Sequence, residues 1–168
     1  ISVFLPTWPT DRLRRKAGDT APPVEVPLII AGRDRNRRIV TAVDATAQAL
    51  GLRVGMPVTK AQALVPGLVI EPADPKADAE SLERLALWVL QRIAPIVAVD
   101  PPDGIVIDST GADHLHRGEA AMLDALIGRL TLSGVSARAA IADTWGAAHA
   151  LARYGSNPVL IAMTGASI

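Results

Sequence analysis

The residues best suited to chemistry are Asp100, Asp103 and Asp108, gathered in the stretch D-P-P-D-G-I-V-I-D-S-T-G at 100–111. Two-metal phosphoryl transfer needs several carboxylates converging on cations about 4 Å apart. Side chains alternate along a strand, so positions 103 and 108 would point to opposite faces if both lay in it. They could not then share one metal without help from another strand. The obvious helper, I-S-V-F-L-P-T-W at 1–8, contains no Asp or Glu. From spacing alone, these aspartates read as turn and cap carboxylates.

Two further groups carry chemical potential. Asp113-His114-Leu115-His116, with Asp108 upstream, holds a His-x-His pair of the kind that binds metals. Its place between a strand and a helix suits capping and turning equally. His149, in an alanine-rich helix, reads as packed or half exposed. The third group is basic: Arg33, Arg35, Arg37 and Arg38 on a hairpin, with Arg12, Arg14 and Arg15 on the first helix. Arginine suits bidentate phosphate contact, so these seven are candidate contacts to DNA or an acidic partner. Arginine-rich hairpin tips also serve as plain solubilising edges. Neither G-x-x-x-x-G-K-[ST] nor G-x-G-x-x-G nor G-x-S-x-G occurs, which removes phosphate-loop and serine-hydrolase classes.

The elements that must position these groups follow from periodicity and punctuation. Strands are expected at 1–5, 28–32, 38–43, 68–72, 96–100, 104–109 and 135–143. Helices are expected at 10–18 (Thr10 as N-cap, Gly18 as stop), after Asp44 to about Gly51, at 56–66 (Thr59 as cap), 74–95, 117–134 and 144–155. In the 74–95 segment, Leu82, Leu85, Ala86, Val89 and Ile93 recur at helical spacing. The tail 156–168 has weak pattern. This order is α+β and compatible with a split βαβ, ferredoxin-like sheet.

Composition sets bounds. The chain has 168 residues, 49% of them hydrophobic, enough for a core without crosslinks. The absence of cysteine excludes disulfides, thiolate metal sites and a cysteine nucleophile, and fits a reducing cytoplasm. No apolar run approaches the ~20 residues of a membrane helix, and no signal-peptide pattern is visible. A chain that starts at Ile1 is expected to be a fragment or a processed product. Net charge is zero, yet residues 1–60 carry ten Lys+Arg against five Asp+Glu, and the remainder seven against twelve. A basic first third could face phosphates. With three Trp, one Tyr and one Phe, a single-strand binder that stacks bases on aromatics is not expected.

Three segments together resemble the palm-and-fingers half of Y-family (UmuC/DinB-type) DNA polymerases. L-G-L-R-V-G-M-P-V-T-K-A-Q-A-L-V-P-G-L at 50–68 is similar to the family's F-G-[VI]-x-x-G-M-P segment. I-D-S-T-G-A-D-H-L-H-R-G at 107–118 is similar to L-D-V-T-G-x-x-x-L-F-G. I-A-P-I-V-A-V-D-P-P-D-G at 93–104 stands where the family has its approach to S-I-D-E. The resemblance implies a ferredoxin-like palm at 1–17 and 76–168, with a fingers insertion at 18–75.

The family's catalytic positions are mostly replaced. Leu5 and Thr7 stand at the acidic places of the first strand, and Pro9–Thr10 near the sugar gate. The S-I-D-E pair becomes Pro101-Pro102-Asp103-Gly104, so Asp103 is a vestigial metal-site position and Gly104 a lost one. The triphosphate-gripping S-Y-E-A-R motif corresponds to Asp44-Ala45-Thr46-Ala47-Gln48, without Tyr or Arg. The basic residue expected after the last palm strand falls in Asp143-Thr144-Trp145-Gly146, which has no Lys or Arg. This pattern is similar to ImuB-type relatives, in which the polymerase shape persists without activity. The resemblance implies no catalytic residues, no cofactor and no resident metal. It implies an adaptor in the damage-induced (SOS) response, linking sliding clamp, RecA-like accessory protein and error-prone C-family polymerase. Contact to primer-template DNA, cytoplasmic and nucleoid-associated placement, and no membrane contact belong to the same expectation. The alternatives are an active, divergent Y-family polymerase using Mg²⁺, or an unrelated ferredoxin-like binding domain.

Overall fold

Val3, Ile105 and Ile107 are buried, with Ile105 and Ile107 two residues apart in one strand, the period of a half-buried sheet. In the computed structural model, residues 1–94, 96–108, 118–142, 144–155 and 159–161 are described. The elements are β1 (Ser2–Phe4), α1 (Trp8–Ala17), β2 (Leu28–Asp34), β3 (Arg37–Val43), α2 (Ala45–Ala49), α3 (Val58–Leu64) and β4 (Val69–Pro72). They continue with α4 (Pro75–Arg92), β5 (Ile96–Asp100), β6 (Gly104–Asp108), α5 (Glu119–Leu132), β7 (Arg138–Ile141), α6 (Trp145–Tyr154) and β8 (Val159–Ile161). The chain forms two compact units, Ile1–Pro6 with Lys76–Ile168, and Thr7–Pro75.

In the first unit the strand order is β5-β6-β1-β7-β8. β6 and β7 each run antiparallel to β1, and β8 runs parallel to β7. Taking β1, α4, β5, β6, α5 and β7 as a βαββαβ unit, the spatial order is 4-1-3-2. That is the ferredoxin-like split βαβ expected from the sequence. Leu82, Ala86 and Val89 bury one stripe of α4, and Met122, Leu123 and Leu126 are buried on α5. Strand β8 lies in the tail where no strand is expected. Three residues are too few for a period-2 signal, and β8 exists through its pairing with β7.

The second unit has a three-stranded sheet, β3-β2-β4. β2 and β3 form the expected hairpin, with a register shift at Ile30/Ala31, and β4 adds parallel to Leu28–Ala31. Ile29, Val40, Ala47, Leu52, Val58 and Ala61 make its core. Two helix starts differ from expectation. α1 begins at Trp8 with Thr7 as N-cap; Thr10 is buried in the first turn, its hydroxyl donating to the Thr7 carbonyl at 3.0 Å. Pro9 fits that first turn because its missing N–H has no intrahelical partner there anyway. α3 begins at Val58 after Pro57, so Thr59 lies inside the helix.

α1 groups with the second unit, so the division falls after Pro6 instead of after residue 17. The physical tie is Arg14. Its Nη1 lies 2.8 Å from Asp44 Oδ2, and its Nη2 donates to the Val26 carbonyl at 3.0 Å. Asp44 Oδ1 in turn caps α2 by accepting from Ala47 N at 2.7 Å.

Candidate functional site

Cross-strand partners share a face of a sheet, and three pairings set a row of four. Asp100 on β5 lies opposite Gly104 on β6, Gly104 opposite Phe4 on β1, and Phe4 opposite Arg138 on β7. The turn 101–103 that joins β5 to β6 contains the cis Pro101–Pro102 bond and presents Asp103 beside this row. The Asp103 carbonyl accepts from Leu5 N at 2.8 Å, extending the β1–β6 ladder by one bond.

α6 packs on β1 and β7, begun by Thr144, whose Oγ1 accepts from Ala147 N at 3.2 Å. A four-residue step puts Trp145, His149 and Arg153 on one helix face. Arg153 reaches over the row. Its guanidinium stands 4.8 Å from the centroid of the Phe4 ring, within cation–π range. Arg153 Nη2 donates to Asp103 Oδ1 at 3.2 Å and lies 3.6 Å from Asp100 Oδ2. His149 Nε2 lies 3.4 Å from the same Asp100 oxygen, and the Trp145 ring leans on His149 with centroids 4.8 Å apart. Asp100 Oδ2 is screened from solvent without a hydrogen bond, with the Arg153 guanidinium at ion-pair range and the His149 ring beside it. Arg138 Nη2 donates to the Gly155 carbonyl at the end of α6, fixing the helix over the sheet.

Gly104 makes this arrangement possible. A Cβ there would stand 3.1 Å from the Asp100 carbonyl and 3.2 Å from both Arg153 Nη2 and Asp100 Oδ2. The space a side chain would need is the space Arg153 crosses.

The donor set does not fit magnesium. Mg²⁺ takes six oxygens in near-octahedral order, anchored by carboxylates. Asp100 and Asp103 are already engaged by Arg153. Leu5, at the first acidic place, is fully buried in the core. Among the described residues no group of three or more His, Asp or Glu could hold a metal ion. Asp108 ends β6, exposed, four residues from Gly104 and so about 13 Å along the strand. The Asp113–His116 segment and Asp143 lie outside the described residues.

The candidate arginines separate into two kinds. Arg12 is 9% exposed, and Arg14 is bound to Asp44 and Val26, so both belong to the fold and not to a free contact surface. Arg15 is exposed at the end of α1, and Arg33, Arg35, Arg37 and Arg38 are exposed around the β2–β3 turn. Sequence reading placed His149 in its helix but missed Arg153 as the partner of the acids. The available signal was an arginine four residues after a histidine on a helix whose Ala148 and Ala152 are buried.

Residues 22–153 match the model of the impB/mucB/samB family (IMS), well over half of the chain. The chain belongs to the impB/mucB/samB family. Protein ImuB of Caulobacter vibrioides is 55% identical over 106 residues, 63% of this chain and 23% of that protein. DNA polymerase IV of Dehalococcoides mccartyi is 28% identical over 119 residues, 70% of this chain and 30% of the relative. The chain therefore spans less than a third of the length of these relatives.

Solved structures carry the same fold at low identity. A post-insertion binary complex of Dbh DNA polymerase aligns with TM-score 0.78 at 16% identity, covering 97% of this chain and 48% of that one. DinB from Sulfolobus solfataricus aligns with TM-score 0.71 at 16% identity, covering 96% and 47%. This IMS-family chain thus has the α+β fold of Y-family polymerases. No helix among its described residues is long and apolar enough to cross a membrane.

Proposed function

We propose that this chain is a non-catalytic, Y-family-like part of an adaptor in damage-induced translesion synthesis. The observation that carries the reading is Arg153 on Asp100 and Asp103, over a glycine where the polymerase family has its second acid. A guanidinium fixed by Phe4 supplies the positive charge that the carboxylates require. Unlike a metal ion, it cannot ligate a primer 3′ oxygen and lower its pKa for attack. Leu5 in the core and Ala45-Thr46-Ala47-Gln48 in place of a triphosphate grip point the same way.

In this reading the fold is kept as a surface. The full-length protein joins a sliding clamp, a RecA-like accessory protein and an error-prone C-family polymerase, working in the cytoplasm at the nucleoid. The 55% identity with Protein ImuB supports that assignment. The kinship with DNA polymerase IV supports the rival, an active enzyme with rearranged ligands. Primer extension by the full-length protein with Mg²⁺ and all four deoxynucleotides separates the two. The adaptor reading expects no incorporation above background, together with co-purification of clamp and C-family polymerase. Incorporation that Asp103→Ala abolishes overturns it.

A further inference from the structure

The second unit contains a cavity that neither the acidic cluster nor the hairpin tip uses. Its volume is about 300 Å³, at the lower end of what small-molecule sites occupy. Its walls all come from Thr7–Pro75, so it belongs to one unit. α1 packs on β2 and forms one side. Leu13, Lys16 and Ala17 stand three and four residues apart, so a single helix face supplies them. The sheet supplies the other side through Leu28 and Glu71. Leu28 pairs with Val69, and Glu71, two residues further along β4, shares that face. Pro22, from the connector between α1 and β2, adds a further wall.

The walls divide by chemistry. Leu28 is fully buried, and Leu13, Ala17 and Pro22 are half-buried, so together they make an apolar interior. Lys16 and Glu71 are exposed, and neither makes an ion pair among the described residues. Arg14 also lines the cavity, but its forked nitrogens are held by Asp44 and the Val26 carbonyl. The lining thus offers an apolar floor with one uncommitted cation and one uncommitted anion. A phosphate or a nucleotide would meet a carboxylate as well as a cation, and no aromatic ring to stack on. A purely apolar group would gain nothing from either charge. A small apolar body carrying both an ammonium and a carboxylate matches all three features.

We propose that this cavity is a binding site for an apolar α-amino acid. The ligand's side chain lies against Leu13, Ala17, Pro22 and Leu28, its carboxylate meets Lys16, and its ammonium meets Glu71. Such a site is independent of whether Asp100 and Asp103 are catalytic.

The test is calorimetric titration of the full-length protein with L-leucine, L-leucinamide, N-acetyl-L-leucine and glycine. L-leucine is expected to bind saturably, and glycine, which has the charges without the apolar body, is not. Leucinamide lacks the carboxylate and N-acetyl-leucine the ammonium, and each is expected to bind about threefold more weakly, the worth of one exposed ion pair. In Lys16→Met the difference between leucine and leucinamide should vanish, and in Glu71→Gln that between leucine and N-acetyl-leucine. Ala17→Leu keeps a good helix former while filling the cavity, and should abolish binding with the circular dichroism of the protein unchanged. Absence of saturable leucine binding overturns the proposal. Equal binding of leucine and its two analogues, or full binding retained in Ala17→Leu, does the same.

Discussion

Two charged clusters in this molecule have opposite fates. Around Asp100 and Asp103, charge is closed on itself: Arg153 and His149 face the acids from one helix, and Phe4 covers the guanidinium. At the β2–β3 tip, charge is left open: Arg33 and Arg38 stand together, exposed and opposite one another. Residue type alone does not separate the two, since the acids suit metal ligation or capping and the arginines suit phosphate contact or solubility. The difference lies in whether the fold provides the counter-charge. A side chain with its partner inside the protein has done its work there, and one without is free to meet a ligand.

The comparison can be broken at several points. Leu5→Asp restores the family's acid but places a carboxylate in the core, with expected destabilisation of about 4 kcal/mol or more and loss of folded protein. A folded, Mg²⁺-binding Leu5→Asp protein would show that the site is still open to metal. Arg14→Met leaves buried Asp44 without its cation and is expected to cost about 3–5 kcal/mol in urea unfolding. A smaller loss, near that of a surface residue, would return Arg14 to the set of free arginines. Arg153→Met removes the bridge over half-buried acids that keep some access to water, with an expected loss of about 1–3 kcal/mol. Neutral behaviour there would mean that the closed cluster is incidental. Arg33→Ser with Arg38→Ser removes cross-strand repulsion, so stability should stay within about 0.5 kcal/mol of wild type or rise slightly. Marked destabilisation would mean that these arginines serve the fold.

Much of the fold was legible because each long element carries its own signal. The stripe Leu82, Ala86, Val89 marks α4, and the Pro-Pro-Asp-Gly turn between two apolar runs marks β5–β6. β8 was not legible, because three residues paired at the end of a sheet carry no period of their own. Residue type alone favours Thr10 and Thr59 as caps; instead α1 starts at Trp8 with Pro9 in its first turn, and α3 starts directly after Pro57, its N-cap. At the site, the family resemblance points to Leu5 and Gly104 as places where acids are expected and absent. The guanidinium that engages Asp103 could not be read, since Arg153 lies 50 residues from Asp103 and meets it only through α6 packing on β1 and β7. The hairpin arginines are legible in the sequence as a set; that Arg33 stands opposite Arg38 is visible only in the register.

The central claim, that a fixed guanidinium stands where the polymerase family holds metal, is tested most directly by calorimetric titration of Mg²⁺ into the full-length protein. The account predicts no saturable binding dependent on Asp103 at millimolar Mg²⁺. Saturable binding in the wild-type protein that disappears in Asp103→Ala would contradict it.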